Sequence, residues 1–163
     1  MQSLRFLTIA IAILSISVCS EGQIRKTVYG NNKVVTKERH AEHFTGVRVS
    51  TGINVYLKQG NNEAISVEAD ENLHEYILTE VRDGVLHVYT EVNIREAERK
   101  RVYVTMKEVN SVRTSSAGDV TGETPIKSDR LELSASSAGD INYMGNPKYV
   151  DAHSSSAGGV HKR

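Results

Sequence analysis

The sequence predicts an all-β chain. The expected form is a right-handed parallel β-helix or solenoid-like domain with a period near 20 residues and some antiparallel hairpin content in its N-terminal half. Three observations lead there. First, Ser115-Ser116-Ala117-Gly118-Asp119-Val120 returns as Ser136-Ser137-Ala138-Gly139-Asp140-Ile141, and again, altered, as Ser155-Ser156-Ala157-Gly158-Gly159-Val160. Such a period is the mark of one coil of chain stacked on the next. Second, apolar and polar residues alternate from Phe44 onward, the pattern of half-buried strands. Third, Arg82-Asp83-Gly84 separates two apolar runs, and Asp-Gly is a strong hairpin signal.

The chain of 163 residues opens on a targeting pattern. Residues 6–18 are an unbroken apolar, Ser and Thr run behind Arg5. That length suits a signal-peptide core and is too short to span a membrane. Cleavage after Ser20 or after Gly22 would leave small residues at the site. Cys19 is the single cysteine, so the mature chain can form no internal disulfide. Its place behind Ile16-Ser17-Val18 resembles a bacterial lipobox, with Val18 where a small residue is usual. Cys19 is thus a candidate lipidation site, and simple secretion is the competing reading. Residues 1–22 are read as the signal peptide and 23–43 as a polar linker. Residues 44–163 are the domain, with a C-terminus that a truncation would also explain.

Lys plus Arg number 20 and Asp plus Glu number 20, so the chain is formally neutral. A neutral chain argues against nucleic acid as a partner, because phosphate binding needs a basic surface.

The strands follow in order. Val47 and Val49, then Val55 and Leu57, alternate with polar neighbours, and so do Ile65, Val67 and Ala69. Gly60-Asn61-Asn62 is a turn. Residues 72–78 fit either a helical turn or a strand. Residues 85–90 form the return strand after Asp83-Gly84. Residues 93–101 are a charge cluster, read as a solvated loop. Val102, Val104 and Met106 resume the alternation. The repeats then begin with residues 109–112, 131–135 and 149–152, and Pro125 and Pro147 are placed between coils.

Stacked coils explain the repeated phrase. Equivalent positions lie about 4.8 Å apart, so bulky residues at a tight bend would collide layer after layer. Gly118, Gly139 and Gly158 are expected to hold positive φ there. Val120, Ile141 and Val160 should re-enter the core as a ladder. Asp119 and Asp140 would stack. The plainer reading gives them Asx-type bonds at the turn and water on the other side; a calcium ladder is the alternative. Gly52-Ile53-Asn54-Val55 reads as a diverged earlier copy, with Asn54 aligned to Asp119 and Ile53 where the repeats carry Gly.

Phe44-Thr45-Gly46-Val47 leading to Gly52-Ile53-Asn54-Val55, with the Ser-Ala-Gly-Asp repeats behind it, resembles the head GIN domain family. Members of that family are named as autotransporter adhesins. The signature is Gly52, Ile53 and Asn54, and the resemblance runs from Phe44 to the C-terminus. It implies a β-helix-like fold and export in Bacteroidota and related bacteria.

No catalytic set stands out. There is no Gly-x-Ser-x-Gly elbow. His40 and His43 form an H-x-x-H pair in a polar stretch and are read as surface residues. His87 alternates with Leu86 and Val88 and should face water. No catalytic residue, metal ligand or cofactor is assigned. The reading is an exported, non-catalytic, adhesin-like binding domain of the periplasm, outer membrane or extracellular space. Its partner would be an envelope protein or polysaccharide, with membrane contact only through a lipid anchor and weak self-association. The alternative is a polysaccharide lyase or hydrolase on a β-helix scaffold.

Overall fold

Alternating apolar residues need a partner sheet to bury them, and here two large sheets supply each other's cover. A computed structural model describes residues 25–40 and 42–163. The leader and Cys19 lie outside the described residues. In chain order the strands are β1 (Thr27–Tyr29), β2 (Val34–Arg39), β3 (Gly46–Val49), β4 (Asn54–Gln59) and β5 (Ala64–Asp70). A 3-10 turn (Glu71–Leu73) precedes β6 (Ile77–Arg82), β7 (Val85–Thr90), β8 (Asn93–Arg95) and β9 (Lys100–Met106). Then come β10 (Ser111–Thr114), β11 (Asp119–Ile126), β12 (Arg130–Ala135), β13 (Asp140–Gly145), β14 (Tyr149–Ser154) and β15 (Gly159–Lys162). The fold is all-β, with no closed barrel.

One sheet has six strands in the order β14-β12-β10-β3-β7-β6; the other has seven, β15-β13-β11-β4-β9-β5-β2; β1 and β8 pair separately. From β7 to β14 and from β9 to β15 every pairing is parallel. Each turn of chain therefore adds one strand to each sheet and makes a layer. The last layers follow the repeat closely: Ser111 pairs with Glu132 and Glu132 with Asp151, steps of 21 and 19 residues. The N-terminal half does not keep sequence order. The layer of β7 and β9 slides beneath that of β3 and β4, so β9 separates β4 from β5. The turn at Gly60-Asn61-Asn62 thus spans a strand instead of joining neighbours. Antiparallel β6, β5 and β2 close that end of the stack.

The inward rows form the core. Leu86, Val47, Val112 and Leu133 stand in one register row, and all are buried. Val102, Val55, Val120 and Ile141 form the facing row, which Val160 continues. Each fully buried Val, Leu or Ile is worth about 1.5–3 kcal/mol, so the rows are the main stabilising term.

Several expectations need correction. Residues 27–39, read as linker, contain β1 and β2. Residues 72–78 are both things the pattern allowed, a 3-10 turn followed by the start of β6. The charge cluster at 93–101 holds β8 and the start of β9. Pro125 lies inside β11, at a break in register between Thr121 and Pro125, where a missing donor is tolerated. Asp83 (φ 50°) and Gly84 (φ 72°) do form the expected hairpin between β6 and β7.

The main correction concerns the repeated turn. Gly118, Gly139 and Gly158 do not hold positive φ. Instead the two residues before them do: Ser116 and Ala117 (53° and 58°), Ser137 and Ala138 (52° and 60°), and Ser156 and Ala157 (50° and 63°). Two consecutive left-handed residues mark a type I′ turn. The closing bonds run from Gly118 N–H to Ser115 O (3.1 Å), Gly139 to Ser136 (3.1 Å) and Gly158 to Ser155 (2.9 Å). The turns also bond to one another. Gly52 N–H donates to Ser116 O (3.0 Å), Ala117 to Ser137 (3.0 Å) and Ala138 to Ser156 (3.1 Å). Glycine is required for space. A Cβ on Gly139 would sit 2.2 Å from Thr114 Oγ1 and 2.7 Å from Gly118 O. One on Gly158 would sit 2.7 Å from the Ala135 carbonyl carbon and from Ser136 N.

The repeated turn therefore gives opposite expectations at adjacent positions. Gly139→Ala should destabilise by about 1–3 kcal/mol through overpacking, and Gly139→Val by more. Ser137→Gly should stabilise by about 1 kcal/mol, because it relieves a left-handed L-residue. Chemical denaturation of both variants checks this, and equal effects would refute the assignment of strain and space.

A second expectation comes from the closed end. His74 is 5% exposed, and its Nε2–H donates to the Val35 carbonyl at 3.1 Å. Burial lowers its pKa from the ordinary value of 6.5, and the cations Lys37 and Arg39 add to the effect. The unfolded chain therefore takes up this proton at higher pH than the fold does. Its contribution to stability is complete above about 6.5 and declines as pH falls through that value toward the folded pKa. Stability measured between pH 8 and 5 should fall less steeply for His74→Gln than for the parent; parallel curves would contradict this.

Candidate functional site

The outward residues of the six-stranded sheet fall into rows because the register is parallel. His87, Arg48, Arg113, Ser134 and His153 occupy one such row. Arg48 and Arg113 are thus direct neighbours on strands about 4.8 Å apart, where like charges destabilise. Arg113 is partly neutralised by Glu132 at 3.6 Å. Glu132 and Asp151 are in turn engaged by Arg130 (3.5 and 3.6 Å), and His153 lies 2.9 Å from Asp151. Arg48 has no carboxylate partner among the described residues. Burial, with Arg48 and Arg82 nearby, lowers the pKa of His87, so that ring adds no charge at neutral pH. Arg48, Arg113, Ser134 and His153, with the carboxylates Glu132 and Asp151, line a shallow pocket of about 350 Å³. This is an open face of mixed charge and hydroxyl groups in which Arg48 is the cation without a carboxylate partner among the described residues, suited to holding an extended polar ligand.

The Gly52-Ile53-Asn54 segment lies at the turn into β4 of the seven-stranded sheet, with Asn54 exposed. Asn54 pairs in register with Asp119, so the Gly52-Ile53-Asn54 segment is the β3–β4 layer's version of Ala117-Gly118-Asp119. Thr51 and Gly52 repeat the left-handed pair (63° and 66°). Ile53 is fully buried where later layers need glycine. The reason is the layer beneath it: β7 and β9 are joined by a longer connection carrying β8, so no tight turn presses on this position. Asp119 Oδ1 accepts the Asp140 N–H at 3.0 Å, a bond between layers in place of the expected bond within the turn. The Gly118 carbonyl is taken up by the Thr114 hydroxyl. The same sheet holds Tyr56 stacked on Tyr103 at 5.2 Å, with Tyr103 Oη donating to Glu68 at 3.0 Å.

His43 pairs with Glu63 at 2.9 Å. Among the described residues, no group of three or more His, Cys, Asp or Glu side chains is placed to hold a metal. No helix among them is long and apolar enough to cross a membrane.

Sequence reading singled out the turns and missed the Arg48–Arg113 pair. A signal was present: the 65-residue offset that aligns Asn54 with Asp119 also aligns Arg48 with Arg113.

Stacked layers that present repeated polar rows define a class of all-β scaffold with register-aligned outward faces. The model of the family described as "Putative auto-transporter adhesin, head GIN domain" matches residues 43–162, and the chain belongs to that family. A crystal structure described as a putative adhesin from Parabacteroides merdae is similar at 23% identity and TM-score 0.72, covering 83% of this chain and 58% of that one. A putative adhesin from Parabacteroides distasonis matches at 19% identity and TM-score 0.76, with the same coverages of 83% and 58%. A putative lipid binding protein from Parabacteroides distasonis matches at 20% identity and TM-score 0.63, covering 79% and 63%. These likenesses show the fold, and the chain spans less than two thirds of the length of each of these proteins. A comparison with curated protein sequences gave no match.

Proposed function

We propose that this chain is an exported, non-catalytic, adhesin-like binding domain of the bacterial cell envelope. Residues 1–22 would direct export, with Cys19 available for lipidation, and residues 44–163 would form the domain. Its layers are read as a right-handed β-solenoid. The observation that carries the proposal is the outward row containing Arg48 and Arg113. Two arginines held side by side by register cost stability unless something anionic or strongly polar lies over them. An open face of that kind suits an extended envelope polysaccharide or protein. The family's adhesin description supports the reading.

Immobilised bacterial surface polysaccharides provide the test. The purified protein should bind at least one saturably and leave its length unchanged. The Arg48→Ala, Arg113→Ala double variant should bind at least tenfold more weakly while melting like the parent. Undiminished binding by the variant would remove this face from the function. Shortening of the polysaccharide would overturn the non-catalytic reading in favour of a lyase or hydrolase.

The layer of β14 and β15 leaves apolar residues uncovered, with Val150 42% and Tyr149 74% exposed. Antiparallel strands close the opposite end, so either a second copy or further layers of a longer chain meeting β14 and β15 would cover these residues. In the first case sedimentation velocity of residues 1–163 should show a concentration-dependent shift. A constant monomer value would count against it.

A further inference from the structure

Lys100 occupies a position that the fold otherwise reserves for apolar residues. It is two residues before Val102 in β9, on the same side as Val102, Val104 and Met106, all buried. Its register neighbour in β5 is Ala69, fully buried. Arg101 pairs with Asn54, which sets Lys100 beside Ile53, also fully buried. The side chain escapes toward the signature turn. Its Nζ lies 3.7 Å from where a Cβ on Gly52 would be.

Among the described residues the ammonium reaches no counter-charge. No ion pair or side-chain hydrogen bond among the described residues involves Lys100. Burial lowers its pKa from the ordinary lysine value, with no acidic group acting against that. A half-buried cation is normally paired, because desolvation is costly and only an opposite charge offsets it. The space in front of Lys100 is an open crevice of about 540 Å³ lined by Arg25, Thr51, Gly52, Val92, Asn93, Ile94 and Lys100 itself. That lining contains two cations and no carboxylate. The wall is fixed. Thr51 Oγ1 donates to Ser50 O at 2.6 Å and accepts the Thr90 N–H at 2.9 Å, so its one hydroxyl proton is already used within the protein. Val92 and Ile94 give the crevice an apolar side, and Ile94 packs on the core.

We propose that this crevice binds a single anionic headgroup carried on a short apolar stem. Lys100 and Arg25 hold the anion, and the stem lies on Val92 and Ile94. The site is separate from the Arg48–Arg113 face and does not depend on it. A carboxylate and a phosphate would both satisfy the cations, so the headgroup chemistry is left to the test.

The experiment measures the rate at which Lys100 is acetylated by a water-soluble acylating reagent, followed by peptide mass spectrometry. Octanoate, octyl phosphate and inorganic phosphate are titrated separately into the purified protein. Octanoate or octyl phosphate should protect Lys100 saturably, with other surface lysines unaffected, and the tighter of the two names the headgroup. Inorganic phosphate should protect at least tenfold less well. Direct calorimetric titration of Lys100→Met, which keeps the aliphatic stem, should show at least a tenfold loss of affinity with an unchanged circular dichroism spectrum. Val92→Ser should weaken octanoate and leave inorganic phosphate unchanged. Absence of saturable protection by both amphiphiles overturns the proposal, whatever the variants do. So does parent-like binding by Lys100→Met. Equal protection by inorganic phosphate removes the apolar stem from the site.

Discussion

Backbone meets backbone at the stacked turns, and the rest of the molecule follows from that contact. The peptide groups of the turns bond from layer to layer as strands do, so no side chain can stand between them. At Gly139 and Gly158 the third turn position therefore has no room for a Cβ, whereas at Gly118 a Cβ would press on Val49 and the Ser115 carbonyl at 3.1 and 3.3 Å. Once the turns are fixed, the register of both sheets is fixed too, because a one-residue slip would turn every inward residue outward. The core rows, the outward arginine row and the Asp119–Asp140 bond all depend on that register.

The turn uses Ser-Ala at two left-handed positions, although Asn-Gly or Asp-Gly meets the same geometry at lower cost. Each L-residue there costs about 1–2 kcal/mol locally. The strain is offset by the bonds that the left-handed pair sends into its neighbours. Gly52 to Ser116, Ala117 to Ser137 and Ala138 to Ser156 each satisfy a donor and an acceptor that the turn would otherwise leave to water. The hairpin at Asp83-Gly84, whose Gly84 carbonyl accepts the Thr45 and Gly46 N–H groups at 2.9 and 3.3 Å, keeps the low-strain residues.

Much of this was legible in the sequence, and the limits are physical. The repeated phrase located the turns, and alternation located Val120, Ile141 and Val160 in a single row. The alignment of Asn54 with Asp119 was also readable. The φ assignment at Gly118, Gly139 and Gly158 was not, because a glycine needed for a positive φ and one needed for close approach look identical in sequence. Only the neighbouring layer distinguishes them. The insertion of the β7–β9 layer beneath β3–β4 was likewise hidden: local alternation specifies strands but not which strand lies beside which. The linker reading failed at residues 27–39 because β2 is an edge strand with one face in water, which weakens its apolar signal.

The out-of-order layer has a consequence at the signature turn. Every later layer brings its tight turn down onto another tight turn, which closes the space between them. Beneath Thr51-Gly52 the connection from β7 to β9 is long and detours through β8. Two things become possible there that the other turns forbid. Ile53 can replace glycine and fill core volume. The strand below can begin with a residue whose polar end emerges beside the turn, which is where Lys100 lies. Ile53 at this turn and Lys100 beside it are thus two results of the same topological step. The crevice at this layer lies where the stack is locally interrupted, while the pocket on the regular layers is built from register-aligned outward rows. The two proposed binding surfaces, one set by register and one by a crevice, accordingly lie in different parts of one scaffold.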